Sequence, residues 1–438
     1  MTALQVLDRT IRLVRDVISD EVPNDAVVNA FQSFRIRCLA NKLNLLTHAG
    51  QTALVTFVSL VARMGVQIDL DIPEVGLAGP QPPLRGAWLR EGLIDLAGDL
   101  IPESRVTTGD ACETDLLFVF GDTPFNSEKI PYWRVTGTAW AGRVNDDESE
   151  GAPWVEDWPI GAMTAAALAA PEVFKSVVRT LPLRNDFQAC FLQPVGKTTW
   201  DFGKGCPRSP EINFGPLDII SAGAITQALI FVLLRLPHAS SSARVFDHDV
   251  AESSNLNRSM ITRFSDTGLS KVAILASYAT PDFKVIGIPE RFQVNSAFRH
   301  LPLAPHVLVG VDDIPSRWEA QQATTGWLGI GGTSHFQTST SSHEAGQPCG
   351  GCLHPFNDDQ FNGPLPTISF VSFWAGLALA VRLLHHLIGQ AYDDRQQHLW
   401  LVPLRMDNQH AALWFPVAAR SDCPVGCAAS RAALEQKK

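Results

Sequence analysis

The sequence predicts an α/β protein built from two related halves, each carrying a mostly parallel sheet. Two observations carry this: a strand–helix–strand pattern stated twice, and a third strand that follows each copy in the same order. Leu43–Glu74 reads LNLLTHAGQTALVTFVSLVARMGVQIDLDIPE, and Leu217–Glu252 reads LDIISAGAITQALIFVLLRLPHASSSARVFDHDVAE. Each reads as a short apolar strand, a small-residue turn, an apolar helix and a second strand ending in Asp-x-Asp. Parallel neighbours require such a crossover. Then DLLFVFGDTP (Asp115–Pro124) matches HVLVGVDDIP (His306–Pro315), with Gly121 opposite Asp312. The Gly-, Pro- and polar-rich stretch around Cys206 separates the copies, which gives domains 1–205 and 206–438.

The chain has 438 residues, a formal net charge of −10 and 45% hydrophobic residues. That length suits two domains and that composition builds cores. The charge excludes a basic nucleic-acid footprint, so an anionic ligand must be held by a local cluster. The opening MTALQVLDRTIRLVRDVISD reads as an amphipathic helix with mixed charge, not a secretory leader. The apolar stretches Leu217–Leu236 and Thr367–Leu384 each carry polar and charged residues, so no membrane span and a cytoplasmic location are expected. Eight cysteines are too few for a disulfide scaffold, and four fall in two close pairs, which favours a metal in a reducing compartment.

The halves differ in chemistry. In a doubly wound sheet, ligands bind outside the carboxyl ends of the strands. In the second half that edge collects Ser221 and Gly223 in the turn SAGAIT, whose small side chains let backbone N–H groups approach phosphate. Asp247 ends the second strand, 26 residues beyond Ser221, where an acid accepts hydrogen bonds from ribose hydroxyls, and Asp249 follows. Asn255, Arg258 and Lys271 come next. Arg and Lys can stabilise a polyphosphate and its transition-state charge, and Asp312 can hold Mg²⁺. The first half has no Asn-x-x-Arg after its Asp-x-Asp. The pairs Cys349/Cys352 and Cys423/Cys427 suit a tetrahedral structural Zn²⁺. His343 and His354 lie close to the first pair.

The segment FDHDVAESSNLNR, then Lys271, then VGVDDIPSR, together with the two cysteine pairs, resembles the ThiF/MoeB and ubiquitin-activating-enzyme superfamily. The resemblance covers about residues 210–430; the turn SAGAIT departs from the family's GxGxxG. It implies two Rossmann-like, ThiF-type halves paired as a pseudo-dimer, an inactive one fused to an active one, with a zinc clip in the second. It implies ATP, Mg²⁺ and Zn²⁺ as cofactors. Asp247 matches the ribose acid, Asn255 and Arg258 the nucleotide-binding pair, Lys271 the phosphate lysine and Asp312 the Mg²⁺-binding catalytic aspartate. The inactive half of such enzymes sends an Arg into the active half's ATP site; Arg35 or Arg37 is the candidate here. The implied reaction is adenylation of the C-terminal carboxylate of a small ubiquitin-like (β-grasp) protein, with a conjugating enzyme downstream.

Members that form a thioester place a Cys between the CxxC and the next long helix. Residues 353–377 contain none, so either the reaction stops at the adenylate or a hydroxyl of Thr367, Ser369 or Ser372 takes the acyl group. His343, His354 or Asp359 would be its base. These Ser and Thr residues also suit a helix cap. A nicotinamide-linked oxidoreductase and a non-catalytic scaffold for a ubiquitin-like partner are the alternatives.

Overall fold

The computed structural model describes residues 2–109, 113–126, 130–147, 151–208, 210–295, 298–357, 365–390, 394–407 and 411–435. Two sheets account for the strands among them. The first holds β1 (Arg35–Ala40), β2 (Gln67–Asp71), β3 (Val106–Thr107), β4 (Leu116–Phe120), β5 (Tyr132–Gly137), β6 (Ala141–Asn145) and β7 (Lys197–Asp201). The second holds β8 (Ile212–Ile220), β9 (Ala239–Phe246), β10 (Phe283–Ile288), β11 (His306–Val309), β12 (Trp327–Ser334), β13 (Gln337–His343), β14 (His398–Leu401) and β15 (Ala412–Phe415). Their orders are β3-β2-β1-β4-β5-β6-β7 and β10-β9-β8-β11-β12-β13-β14-β15. In each, five parallel strands are followed by antiparallel ones, beginning at β6 and β13. The order reverses between β1 and β4 and between β8 and β11, so each half has a crevice at its strand ends there.

The repeat therefore stands, but its first strand lies earlier than the sequence pattern suggests. In the first half β1 is RIRCLA, with alternate residues half-buried, and Arg35 and Arg37 belong to it rather than preceding it. Leu43 falls in a short helix, Lys42–Leu45, because the Asn41 side chain caps it by accepting from Asn44 N–H at 2.9 Å. The third strands also align differently. Phe120 pairs with Ala40, and Val309 pairs with Ile220, each at the end of its strand. Gly121 thus lies level with Gly310, and Thr123, not Gly121, lies level with Asp312.

Long helices close both halves and join them. Ile160–Val178 covers the first sheet and Ser369–Leu387 the second. Gly376 lets Ser369–Leu387 approach helix Ala224–Leu233: a Cβ there would stand 2.5 Å from Ala228 Cβ. Trp374 Nε1 donates to Ala167 O at 3.1 Å, so the two closing helices touch. Fully buried arginines stitch the halves through backbone carbonyls. Arg63 donates to Leu256 O at 2.7 Å and Thr262 O at 3.0 Å, and Arg263 donates to Pro83 O at 2.8 Å. By length and composition Ser369–Leu387 could cross a membrane, yet 89% of its apolar window is buried inside the protein.

Candidate active site

The second half's crevice opens into a cavity of about 230 Å³ at the carboxyl ends of β8 and β11. Its floor is the turn from β8 into helix Ala224–Leu233. Ser221 adopts φ 83°, a left-handed conformation that glycine takes easily and serine rarely. This is the place where the family has its first glycine. The strain is held by hydrogen bonds: Gly223 N–H donates to Ser221 Oγ at 3.0 Å, and Ala222 N–H donates to Asp247 Oδ2 at 2.6 Å. Asp247 Oδ1 accepts from Asp249 N–H at 2.8 Å, so this carboxylate shapes the turn. Gly223 caps the helix without a side-chain acceptor, so the first-turn N–H groups of Ala224 and Ile225, residues that line the cavity, have no capping side chain.

Four cations converge on it: Arg9, Arg258, Lys271 and Arg317. Arg258 is lowered to about 10, by burial first and by the neighbouring Arg9 guanidinium next. Its Nη1 donates to Ser254 O and to Asn257 Oδ1 at 2.9 Å. Arg317 is likewise lowered to about 10 by burial; its Nε and Nη2 donate to Val311 O at 3.0 and 2.8 Å. Lys271 Nζ donates to Asp249 Oδ2 at 2.7 Å, and that hydrogen bond holds the Asp249 carboxyl below its ordinary range. Arg258 and Arg317 are buried, and Asp247, Asp249 and Asp312 share the lining, so the cavity gathers four cations and three carboxylates.

Asp312 is exposed at the cavity's mouth, and Asp313 caps helix Ile314–Ala323 by accepting from Ser316 N–H at 2.7 Å. Asp312 also borders two adjoining spaces. A recess of about 270 Å³ runs past Ser221, Asp247 and Asp249 and is bordered by Arg291 and Phe292. A groove of about 880 Å³ runs past Gly332, Thr333 and Ser339 toward Phe356 and Trp400.

Several expected residues lie elsewhere. Asn255 closes its own turn, its Oδ1 accepting from Glu252 N–H at 3.0 Å, and it does not line the cavity. Arg37 is held in the first sheet by Asp69 at 2.7 Å, and neither it nor Arg35 reaches the cavity. The arginine that the first half sends across is Arg9, whose Nη1 donates to Leu365 O at 3.1 Å. Ser369 faces the other way: it is fully buried and its Oγ donates to Leu60 O at 2.8 Å, so it is out of reach as an acyl acceptor. Thr367 and Ser372 do line the cavity. None of these three is the cap of helix Ser369–Leu387; Ile368 is. His343 is engaged by Ser341 and Pro348, and His354 by Arg317. Asp359 lies outside the described residues.

In the first half the corresponding crevice is filled. Asn44 sits there fully buried, accepting from Trp154 N–H at 3.1 Å and donating to Asp122 Oδ1 at 2.9 Å. A Cβ at Gly121 would meet Asn44 Oδ1 at 2.2 Å.

The four paired cysteines meet as expected. Cys349 Sγ lies 3.4 Å from Cys423 Sγ, and Cys352 Sγ lies 3.6 Å from Cys427 Sγ. All four sulfurs fall within 4.8 Å of one another. A disulfide needs about 2.05 Å. Sulfurs around a zinc at 2.3 Å stand roughly 3.8 Å apart, so the set fits a tetrahedral thiolate site. Such a metal would clip helix Gly350–Leu353 to the segment after β15.

Fold and site together define a doubly wound α/β protein with a charged cavity at the strand ends of one half and a filled crevice in the other. Residues 241–425 match the ThiF family and residues 35–187 match the BilD N-terminal domain. The second half of this chain is a ThiF-family domain, preceded by a BilD N-terminal domain. The protein y4jF of Sinorhizobium fredii (strain NBRC 101917 / NGR234) is 25% identical over 206 residues, which are 45% of this chain and 38% of that protein. The chain thus spans under two-fifths of that relative's length. Among solved structures, E. coli MccB with MccA-N7isoAsn is 13% identical at a TM-score of 0.41, covering 49% of this chain and 67% of that one. E. coli MccB with AMPCPP and MccA is 14% identical at 0.40, covering 48% and 66%.

Proposed function

We propose that the chain adenylates the C-terminal carboxylate of a small ubiquitin-like protein with ATP. The observation that carries this is the single cavity holding Arg9, Arg258, Lys271 and Arg317 beside an open helix N-terminus and Asp312. The recess bordered by Arg291 and Phe292 would take adenine, and Asp247 the ribose. The N–H groups of Ala224 and Ile225 with the four cations would take the phosphates. Asp312 would hold Mg²⁺, which supplies counter-charge to the phosphates. The groove has small residues on one side, at Gly332, Thr333 and Ser339, and would admit an extended tail. In this reading a carboxylate oxygen of that tail attacks the α-phosphorus, an O–P bond forms, and pyrophosphate leaves. Catalysis is then positioning and charge stabilisation.

The ubiquitin-like partner and a downstream conjugating enzyme rest on the family resemblance and on the groove's shape. For the step after adenylation, Thr367 and Ser372 are the hydroxyls within reach. Neither has a base in hydrogen-bond contact, which a hydroxyl nucleophile requires, so we place onward transfer on an acceptor outside this chain. A hydride-transferring enzyme would leave the four cations and Asp312 without a task. The test is exchange of labelled pyrophosphate into ATP in the presence of the small ubiquitin-like protein. Exchange is expected, falling about 10²-fold in Asp312→Ala. Equal exchange in both would remove Asp312 from the mechanism, and no exchange with a partner that binds would overturn the reading.

A further inference from the structure

Two hydroxyls on the cavity wall have no hydrogen-bond partner among the described residues. Thr367 is 6% exposed and Ser372 is 1% exposed, and both line the cavity. Thr367 Oγ1 and Ser372 Oγ are shielded from solvent and bond to none of the described residues. A buried hydroxyl is normally satisfied. Ser372 in particular sits inside a helix, where serine usually bonds back to the carbonyl four residues earlier. It does not, although Thr338 and Ser369 beside this helix each donate to a backbone carbonyl, at 2.8 Å.

Thr367 is also held firmly. Asn257, fully buried, donates to Thr367 O and to Thr10 Oγ1, both at 3.1 Å, and accepts from Arg258 Nη1 at 2.9 Å. Two residues earlier, Leu365 O accepts from Arg9. One asparagine therefore ties the wall that carries Thr367 to the helix that carries Arg9 and to Arg258. Leu365 lines both the cavity and the groove, and Thr367, two residues on, lines the cavity.

The cations and the helix N-terminus supply charge for phosphates. Two neutral donors on the cavity wall suit a different oxygen. Building on the adenylation reading above, we propose that the Thr367 and Ser372 hydroxyls donate hydrogen bonds to the carboxyl oxygens of the incoming tail, fixing the carbonyl of the acyl-adenylate. Asn257 is the positioning residue that aims this wall.

The test compares two ligands on the full chain: AMP, and 5′-O-(N-glycylsulfamoyl)adenosine, an uncleavable stand-in for an acyl-adenylate. In Thr367→Val and Ser372→Ala, affinity for the acylsulfamoyl ligand should fall about tenfold each while affinity for AMP stays within twofold. Thr367→Ser should restore binding. Melting temperature should hold or rise, because removing an unsatisfied hydroxyl relieves the fold. Equal weakening of both ligands, or no change in either, would overturn the proposal. So would a hydroxide-labile covalent adduct of the substrate on Thr367, which would make it a nucleophile. Wild type binding neither ligand would instead sink the nucleotide reading itself, a failure visible without any substitution.

Discussion

Replacing Arg9 with Ala should weaken ATP binding far more than it weakens the fold. Arg9 sits on helix Asp8–Val17, and its charge reaches a cavity made otherwise by the second half. A guanidinium about 4 Å from a phosphate gains roughly 4 kcal/mol of Coulomb energy at an effective dielectric of about 20. Much of that is offset by desolvation, and a hydrogen bond to a charged group nets about 1.5–3 kcal/mol. That is roughly 10- to 100-fold in affinity. The free protein loses little, because Arg9 makes one hydrogen bond to Leu365 O and its charge opposes Arg258. The assay is calorimetric titration with Mg·ATP beside a thermal melt. The expected result is a 10- to 100-fold rise in Kd with the melting temperature within about 2 °C of wild type. Arg9→Lys should recover part of the loss, since it keeps charge without the planar fork. An unchanged Kd, or a loss of binding matched by a large drop in melting temperature, would refute the assignment of Arg9 to the nucleotide.

The remaining predictions concern metal, acid and strain. About one zinc per chain should copurify, and Cys349→Ser or chelation should release it and lower the melting temperature, because structural zinc contributes folding energy; a metal-free wild type that melts the same with chelator would count against it. Burial, with Arg382 nearby, lowers His343, His385 and His398 each to about 4. Their folded values lie below the unfolded one, so their stability is complete above about pH 6.5 and is lost as pH falls toward 4. Denaturant melts should show steep loss between those values, and a flat profile there would contradict it. Ser221→Gly should leave stability within about 1 kcal/mol, since relief of the left-handed strain offsets the hydroxyl's bond to Gly223, whereas Ser221→Val should cost more than that; equal stabilities for the two variants would show that the turn carries no strain.

The repeat, the two parallel sheets and the meeting of Asp247, Arg258, Lys271 and Asp312 could be read from the chain, because strand–turn–helix spacing fixes which residues reach a sheet's edge. The cysteine set was legible for a similar reason, since the paired spacing is local. What escaped depends on packing. β1 was displaced because RIRCLA alternates charged and apolar residues, while the apolar run that follows belongs to a capped turn. Arg9 shows no motif; only the docking of helix Asp8–Val17 against Leu365 and Asn257 places it. Arg317 stood in VGVDDIPSR, four residues past Asp313, but its turn back to Val311 O is a tertiary outcome. Asn255 had the expected spacing and still closed its own turn. Ser369 and Ser372 lie one helical turn apart, yet one faces Leu60 and the other the cavity.

In the proposed function one half of this chain binds ATP and the other does not. Titration of the intact protein with Mg·ATP separates the halves. One site per chain is expected, abolished by Arg258→Ala combined with Lys271→Ala and untouched by Asn44→Ala in the filled crevice. Two sites per chain, or one site indifferent to Arg258 and Lys271, would contradict it.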